Sequence, residues 1–264
     1  WRTLALLLFA DASTLDWRAI RADAWIPARL LVVGLPLTVA VGALTAGLLF
    51  PGAGLGMALL LGAILAPTDA ALGLPIFSNE RVPMRVRRAL NVESGFNDGV
   101  STPFVTLALA FVVAEATPGN PGSWIPPALA EIAIAIVVGG LLGVVGGRAF
   151  LAAETRGLTT PVALQLGGLA LALLGYWGSI AAGGNGYIAA FVAGLAFGAA
   201  SDGKLAAAGE FPEVSGTLLS LLVWVIFGAM VAPLAFTHFV PAALRYAVLA
   251  LTVEQVLVGA DVPP

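Results

Sequence analysis

The sequence predicts an all-α integral membrane protein, a bundle of several spanning helices. Three observations carry this. Only 10% of the 264 residues are charged, against about 25% in an ordinary soluble domain. The hydrophobic share is 59% and the mean hydropathy +0.99, more apolar surface than a soluble fold of this length can bury. The apolar residues also come in long runs of about 20, the length that crosses a hydrocarbon core. The runs do not alternate as the strands of a membrane barrel do, which leaves helices to satisfy every backbone group inside lipid. The chain has 32 Gly and 17 Pro, and both residues are commoner in spanning helices than in soluble ones. It has no cysteine, so neither a disulfide framework nor a thiolate metal site exists.

Taken in order, the runs predict the tail of a span over Leu4–Ala10, then spans over Leu30–Phe50, Leu55–Phe77, Asn91–Ala114, Pro127–Phe150 and Pro161–Ala182. A shorter run, Gly186–Ala200, follows a Gly-Gly-Asn break, and Val214–Phe236 and Pro241–Val258 complete the set. The chain opens at Trp1 on residues that are already hydrophobic and closes in DVPP after a last apolar run. The expectation is one transmembrane transporter domain over residues 1–264, incomplete at both ends.

Basic residues test the order of the spans. Following the chain back and forth puts Arg18, Arg21, Arg29, Arg81, Arg85, Arg87, Arg88, Arg148, Arg156 and Lys204 on one side, ten of the twelve Lys and Arg. The connections on the other side, 51–54, 115–126, 183–185 and 237–240, hold none. Positive charge stays cytoplasmic, so the basic side is predicted to face the cytoplasm. The short run after Asn185 is needed for this agreement.

Two places break the apolar pattern. Inside Leu55–Phe77, Pro67 is followed at once by Thr68 and Asp69, then by Gly73 and Pro75. Proline removes a helix hydrogen bond and clashes with the preceding turn. Backbone freed at membrane depth is tolerated only in protein or along a wet cavity, and transporters build ion sites from it. The second place is NVESGFNDGV, residues 91–100. Glu93 and Asn97, Ser94 and Asp98, and Asn97 and Ser101 are each four apart, so each pair shares a helix face. Carboxylate, hydroxyl and amide oxygens suit a hard cation; a soft metal would call for Cys or His.

Asp69, Glu93, Asp98 and Arg245 are the ionisable residues away from span ends. A charge at the centre of a spanning helix costs about 2.5–3.5 kcal/mol on insertion scales, so the default reading of each is functional. Glu93 lies within snorkelling reach of the cytoplasmic boundary. Arg245 needs an acid, and an Arg–Glu pair with Glu93 offsets part of the desolvation. Asp98 and Asp69 then remain for something mobile. The one histidine, His238, falls in an outer connection and reads as a solvated loop residue.

GAILAPTDAALG (62–73) followed by NVESGFNDGV (91–100) resembles the paired signature of the monovalent cation:proton antiporters, in their sodium/proton exchanger branch with the Asn–Asp motif. Ala70 stands where many members carry proline. The resemblance implies an inverted-repeat antiporter fold with discontinuous helices, here truncated, and a likeness to a homodimer-forming transporter. It implies that Asp98 binds cation or proton, with Asn97 in support. Asp69 and Thr68 from the broken helix and the hydroxyl of Ser94 would complete the cation site. Glu93 and Arg245 would form a structural ion pair. Asp11 lies near a place where some relatives have a further acidic ligand, although an interfacial acid is the simpler reading of it. The glycine- and arginine-containing motif expected further along is absent.

The predicted function is secondary active exchange of a monovalent cation, Na+ first, for H+ across the cell membrane. Proton and cation compete for one set of carboxylate oxygens. A potassium/proton exchanger or a cation channel of the same superfamily is the alternative. The only partners this requires are the cation, protons, the bilayer and a second copy, with no cofactor and no nucleic acid. An intramembrane serine enzyme at Ser94 would need a His or Lys partner within the spans, and neither is there.

Overall fold

The structure is a computed structural model that describes residues 2–15, 28–67, 84–117, 122–237 and 240–254. The described residues are helical and contain no strand. In chain order they form α1 (Arg2–Ser13), α2 (Leu35–Leu49), α3 (Gly54–Leu65) and α4 (Met84–Ala116). These are followed by α5 (Ile125–Thr155), α6 (Pro161–Ala181), α7 (Gly186–Ser201), α8 (Ala207–Met230), α9 (Ala232–Thr237) and α10 (Pro241–Leu249). A π-helical turn, Leu30–Gly34, leads into α2, and another, Ala250–Glu254, continues α10. Among the described residues five helical segments are long and apolar enough to cross a membrane: Leu30–Leu49, Phe96–Ala116, Ile125–Thr155, Pro161–Ala181 and Ala207–Met230. The protein is thus an all-α, multi-span membrane protein.

The observed boundaries differ from the apolar runs where a local rule intervenes. The helix expected over Leu55–Phe77 ends, in the described part, at Leu65, with Ala66 and Pro67 in a bend. Pro67 has no N–H to offer the Ala63 carbonyl, so the ladder stops there. α4 begins at Met84, ahead of the apolar stretch, because polar and basic residues extend a helix beyond the membrane without difficulty. α8 begins at Ala207 and ends at Met230, with Pro212 accommodated near its start.

The chain divides into two compact units. The first comprises Trp1–Arg18 and Leu129–His238. Its centre is α7, a helix of 16 residues of which ten are buried. Glycine lets its neighbours approach. Any Cβ on Gly139, Gly143 or Gly147 of α5 would run into the α7 backbone at Ala189, Ala193 and Phe197. Gly194 of α7 lies against the Phe9 carbonyl of α1, and Gly168 of α6 against the Ala208 carbonyl of α8. Small residues at spacing four are how spanning helices pack closely where lipid supplies no hydrophobic drive. Phe9, Phe150 and Phe197 fill the remaining space, with ring centroids 5.8 and 5.9 Å apart.

α7 is about 24 Å long at 1.5 Å per residue, short of a full crossing, so its start must be satisfied by protein. The Asn185 side chain accepts hydrogen bonds from the Tyr187 and Ile188 amides at 3.0 and 3.1 Å. The Asn185 amide donates to the Glu131 carbonyl, the Gly184 amide to the Ser179 carbonyl, and the Ser179 hydroxyl to the Asn185 carbonyl. Gly183, at φ +83, adopts the left-handed turn that glycine takes without a steric penalty.

The second unit comprises Ala19–Ala128 and Phe239–Pro264. α2 and α3 form a hairpin in which Gly62 lies against the backbone at Val39 and Ala43. Leu35, Val39, Ala63 and Ala66 make a core onto which Val100, Phe104 and Val105 of α4 pack. Tyr246 of α10 joins Ala46 and Ala58 in a second cluster, and its hydroxyl donates to the Gly42 carbonyl at 3.3 Å.

Candidate functional site

The polar stretch of residues 91–100 lies within α4, and its side chains are described from Phe96 onward. Successive residues of a helix point about 100° apart, and here that separates neighbours. Asn97 is 2% exposed and Ser101 4%, both on the packed face. Asp98 is exposed. The carboxylate and the amide therefore stand on different faces of one turn, not together on one side.

The backbone around Asp98 is altered as well. Its carbonyl accepts hydrogen bonds from the hydroxyls of Ser101 and Thr102, each at 2.9 Å. One residue on, Pro103 sits inside the helix and has no N–H for the Gly99 carbonyl. Hydroxyl back-bonding and an interior proline both bend helices. Thr102 and Pro103 escaped the sequence reading; the signal was the STP that directly follows NDGV.

The end of the broken helix lies at the same level. The N-terminal turn of α3 meets the C-terminal part of α4, where a Cβ on Gly56 would be 3.0 Å from the Val112 backbone. The last turn of α3, through Ala63 and Ala66, shares its core with Val100, Phe104 and Val105. The two helices run antiparallel, and α3 ends beside the stretch of α4 that holds Val100, Phe104 and Val105, just past Asp98 in the chain.

Several of the predicted site residues lie outside what is described. Thr68 and Asp69 follow Pro67 directly and are outside the described residues. Glu93 and Ser94 belong to α4, but their side chains are outside the described set. Arg245 stands exposed on α10 while the adjacent Tyr246 is buried. Asp11 is exposed on α1, in the first unit. His238 is outside the described residues. Of the predicted set, the structure places Asn97 and Asp98 side by side in the chain with the end of α3 near them.

Comparison with known families decides the affiliation. Residues 3–260 match the family described as "Sodium/hydrogen exchanger, transmembrane". The chain belongs to the sodium/hydrogen exchanger family. Similar members include Na(+)/H(+) antiporter 2 of Zygosaccharomyces rouxii, 32% identical over 193 residues, which cover 70% of this chain and 23% of that protein. The Na(+)/H(+) antiporter of Saccharomyces cerevisiae is 35% identical over 124 residues, 44% of this chain and 12% of that protein. The chain thus spans under a quarter of the length of these exchanger relatives. The exchanger family match runs through both compact units, and both motifs fall within it.

Proposed function

We propose that this chain carries the ion-exchanging part of a secondary antiporter that moves a monovalent cation, Na+, against H+ across the cell membrane. The observation that carries the reading is an exposed carboxylate, Asp98, on a spanning helix of a sodium/hydrogen exchanger family member. Beside it a second helix breaks off at Pro67, ahead of Thr68 and Asp69. Exposure lets an ion reach the carboxylate, and the broken helix supplies further oxygens.

In this reading Asp98 holds either a cation or a proton. Both occupants neutralise the same oxygens, so loading one displaces the other, and a site that reorients only when occupied exchanges them. Thr68, Asp69 and Ser94 share the cation. Asn97, turned into the packed face, holds the turn of α4 that presents Asp98. Glu93 and Arg245 pair and keep a second charge out of the ion's way. The basic connections face the cytoplasm, and two copies associate. Sodium rests on the names of the family and its relatives, and potassium and lithium suit the same oxygen set.

The test is exchange in proteoliposomes of the full-length protein, read by a pH-sensitive dye on addition of sodium, potassium or lithium. Asp98→Asn is expected to abolish exchange with the protein still in the membrane. Undiminished sodium-driven proton movement in that variant would remove Asp98 from the site.

A further inference from the structure

We infer that Glu115 is a positioning residue for the ion site, a tie that sets where the broken helix ends relative to Asp98. The inference rests on the exchange reading above for its functional consequence, and on geometry for the tie itself. Glu115 lies in the last turn of α4, the helix that carries Asp98, and its side chain reaches across to the first turn of α3. There its Oε2 accepts a hydrogen bond from the Gly56 amide at 3.0 Å. That amide has no partner within its own helix, and a carboxylate at a helix N-terminus is also favoured by the helix dipole.

The fit is close. A Cβ on Gly56 would be 2.7 Å from Glu115 Oε2 and 3.0 Å from the Val112 Cα, and one on Gly54 would be 3.0 Å from the same oxygen. Gly54 also has φ +80, so the GAGLG turn (52–56) leaves room for the carboxylate and bends the chain under it. α3 is 12 residues long and runs from this tie to the bend at Ala66 and Pro67. Fixing its first turn against α4 fixes the height at which it stops. Asp98 lies on α4 itself, so the level at which α3 stops relative to Asp98 follows from the tie. Further along, the two helices share an apolar cluster of alanines, valines and Phe104, and packing of that kind admits small slides that a directional hydrogen bond does not.

Glu115 does not touch the ion in this scheme, so the experiment must separate positioning from folding. In vesicles bearing the full-length protein, Glu115→Ala is expected to raise the apparent KM for sodium up to about five-fold, the effect of losing one helix cap. Vmax per inserted protein should stay within about two-fold. Glu115→Gln keeps an acceptor oxygen of the same reach and should restore the KM. Glu115→Asp keeps the charge but falls one methylene short, and should behave like the alanine variant. It carries the test if Glu115→Ala fails to accumulate. An unchanged KM in both Glu115→Ala and Glu115→Asp overturns the proposal. So does a lower yield of folded protein with the KM unchanged.

A second readout does not depend on transport. The protein has no cysteine, so spin labels can be placed cleanly at the exposed Ile64→Cys on α3 and Leu109→Cys on α4. Glu115→Ala should broaden or shift their distance distribution, and Glu115→Gln should not. A distribution identical in the parent and Glu115→Ala overturns the tie. If the parent exchanges no cation, the exchange reading fails and the distance measurement alone decides the tie.

Discussion

Asn97 and Asp98 show what a single residue step does in a helix. Their types marked the pair as chemical, and spacing of four tied Asn97 to Ser101 on one face. Which face is packed is decided by what lies against α4, and there Asn97 and Ser101 are buried while Asp98 is exposed. Removing a buried polar side chain leaves its surroundings unsatisfied, at about 1–3 kcal/mol. Asn97→Ala should therefore lower the thermal midpoint of the purified protein, whereas Asp98→Asn, at an exposed position, should leave it nearly unchanged. Asn185 works differently. Read from the sequence it marks only a break, but its side chain caps two amides of α7. Asn185→Ala should cost about 1 kcal/mol, and faster hydrogen exchange confined to the Tyr187 and Ile188 amides would report it.

For the helices, the apolar runs anticipated most of the elements and missed mainly their ends. They do not reveal why α5 and α7 lie so close. Gly139, Gly143 and Gly147 sit at spacing four in a helix where other glycines also occur, and nothing local distinguishes the seam. The structure does, because Ala189, Ala193 and Phe197 stand opposite. Substitution of glycine by alanine inside a helix ordinarily gains up to about 1 kcal/mol in propensity. At Gly143 the sign should reverse, because overpacking a close interface costs about 1–3 kcal/mol. At Gly228 of α8, where a Cβ meets nothing within 4 Å, the ordinary sign should hold. Thermal unfolding of Gly143→Ala and Gly228→Ala side by side checks this. Equal effects would mean that α5 and α7 are not in close contact in the membrane.

At the level of the whole molecule, composition placed the protein in the membrane, and the distribution of arginine proposed its sidedness. The absence of cysteine makes the latter easy to examine. In sealed, oriented vesicles, Arg156→Cys should react with an impermeant maleimide only from the cytoplasmic side, and Ser123→Cys only from the other. Labelling of both from one side would overturn the order of the spans. The family match extends over residues 3–260 and so embraces both compact units, each of which has its own core of small residues and aromatic rings.

The sequence by itself determined the class of protein, the approximate course of the spans, the break at Pro67 and the polar turn of residues 91–100. It also sufficed for the resemblance to sodium/proton exchangers. These are properties of composition and local spacing, which act within a few residues of one another. The tertiary structure alone decided that Asn97 faces the core and Asp98 does not, that three glycines of α5 form a seam, and that Glu115 reaches the Gly56 amide. Each of these is a meeting of groups far apart in the chain. Helix periodicity specifies which residues share a face; only a neighbouring helix determines what that face meets.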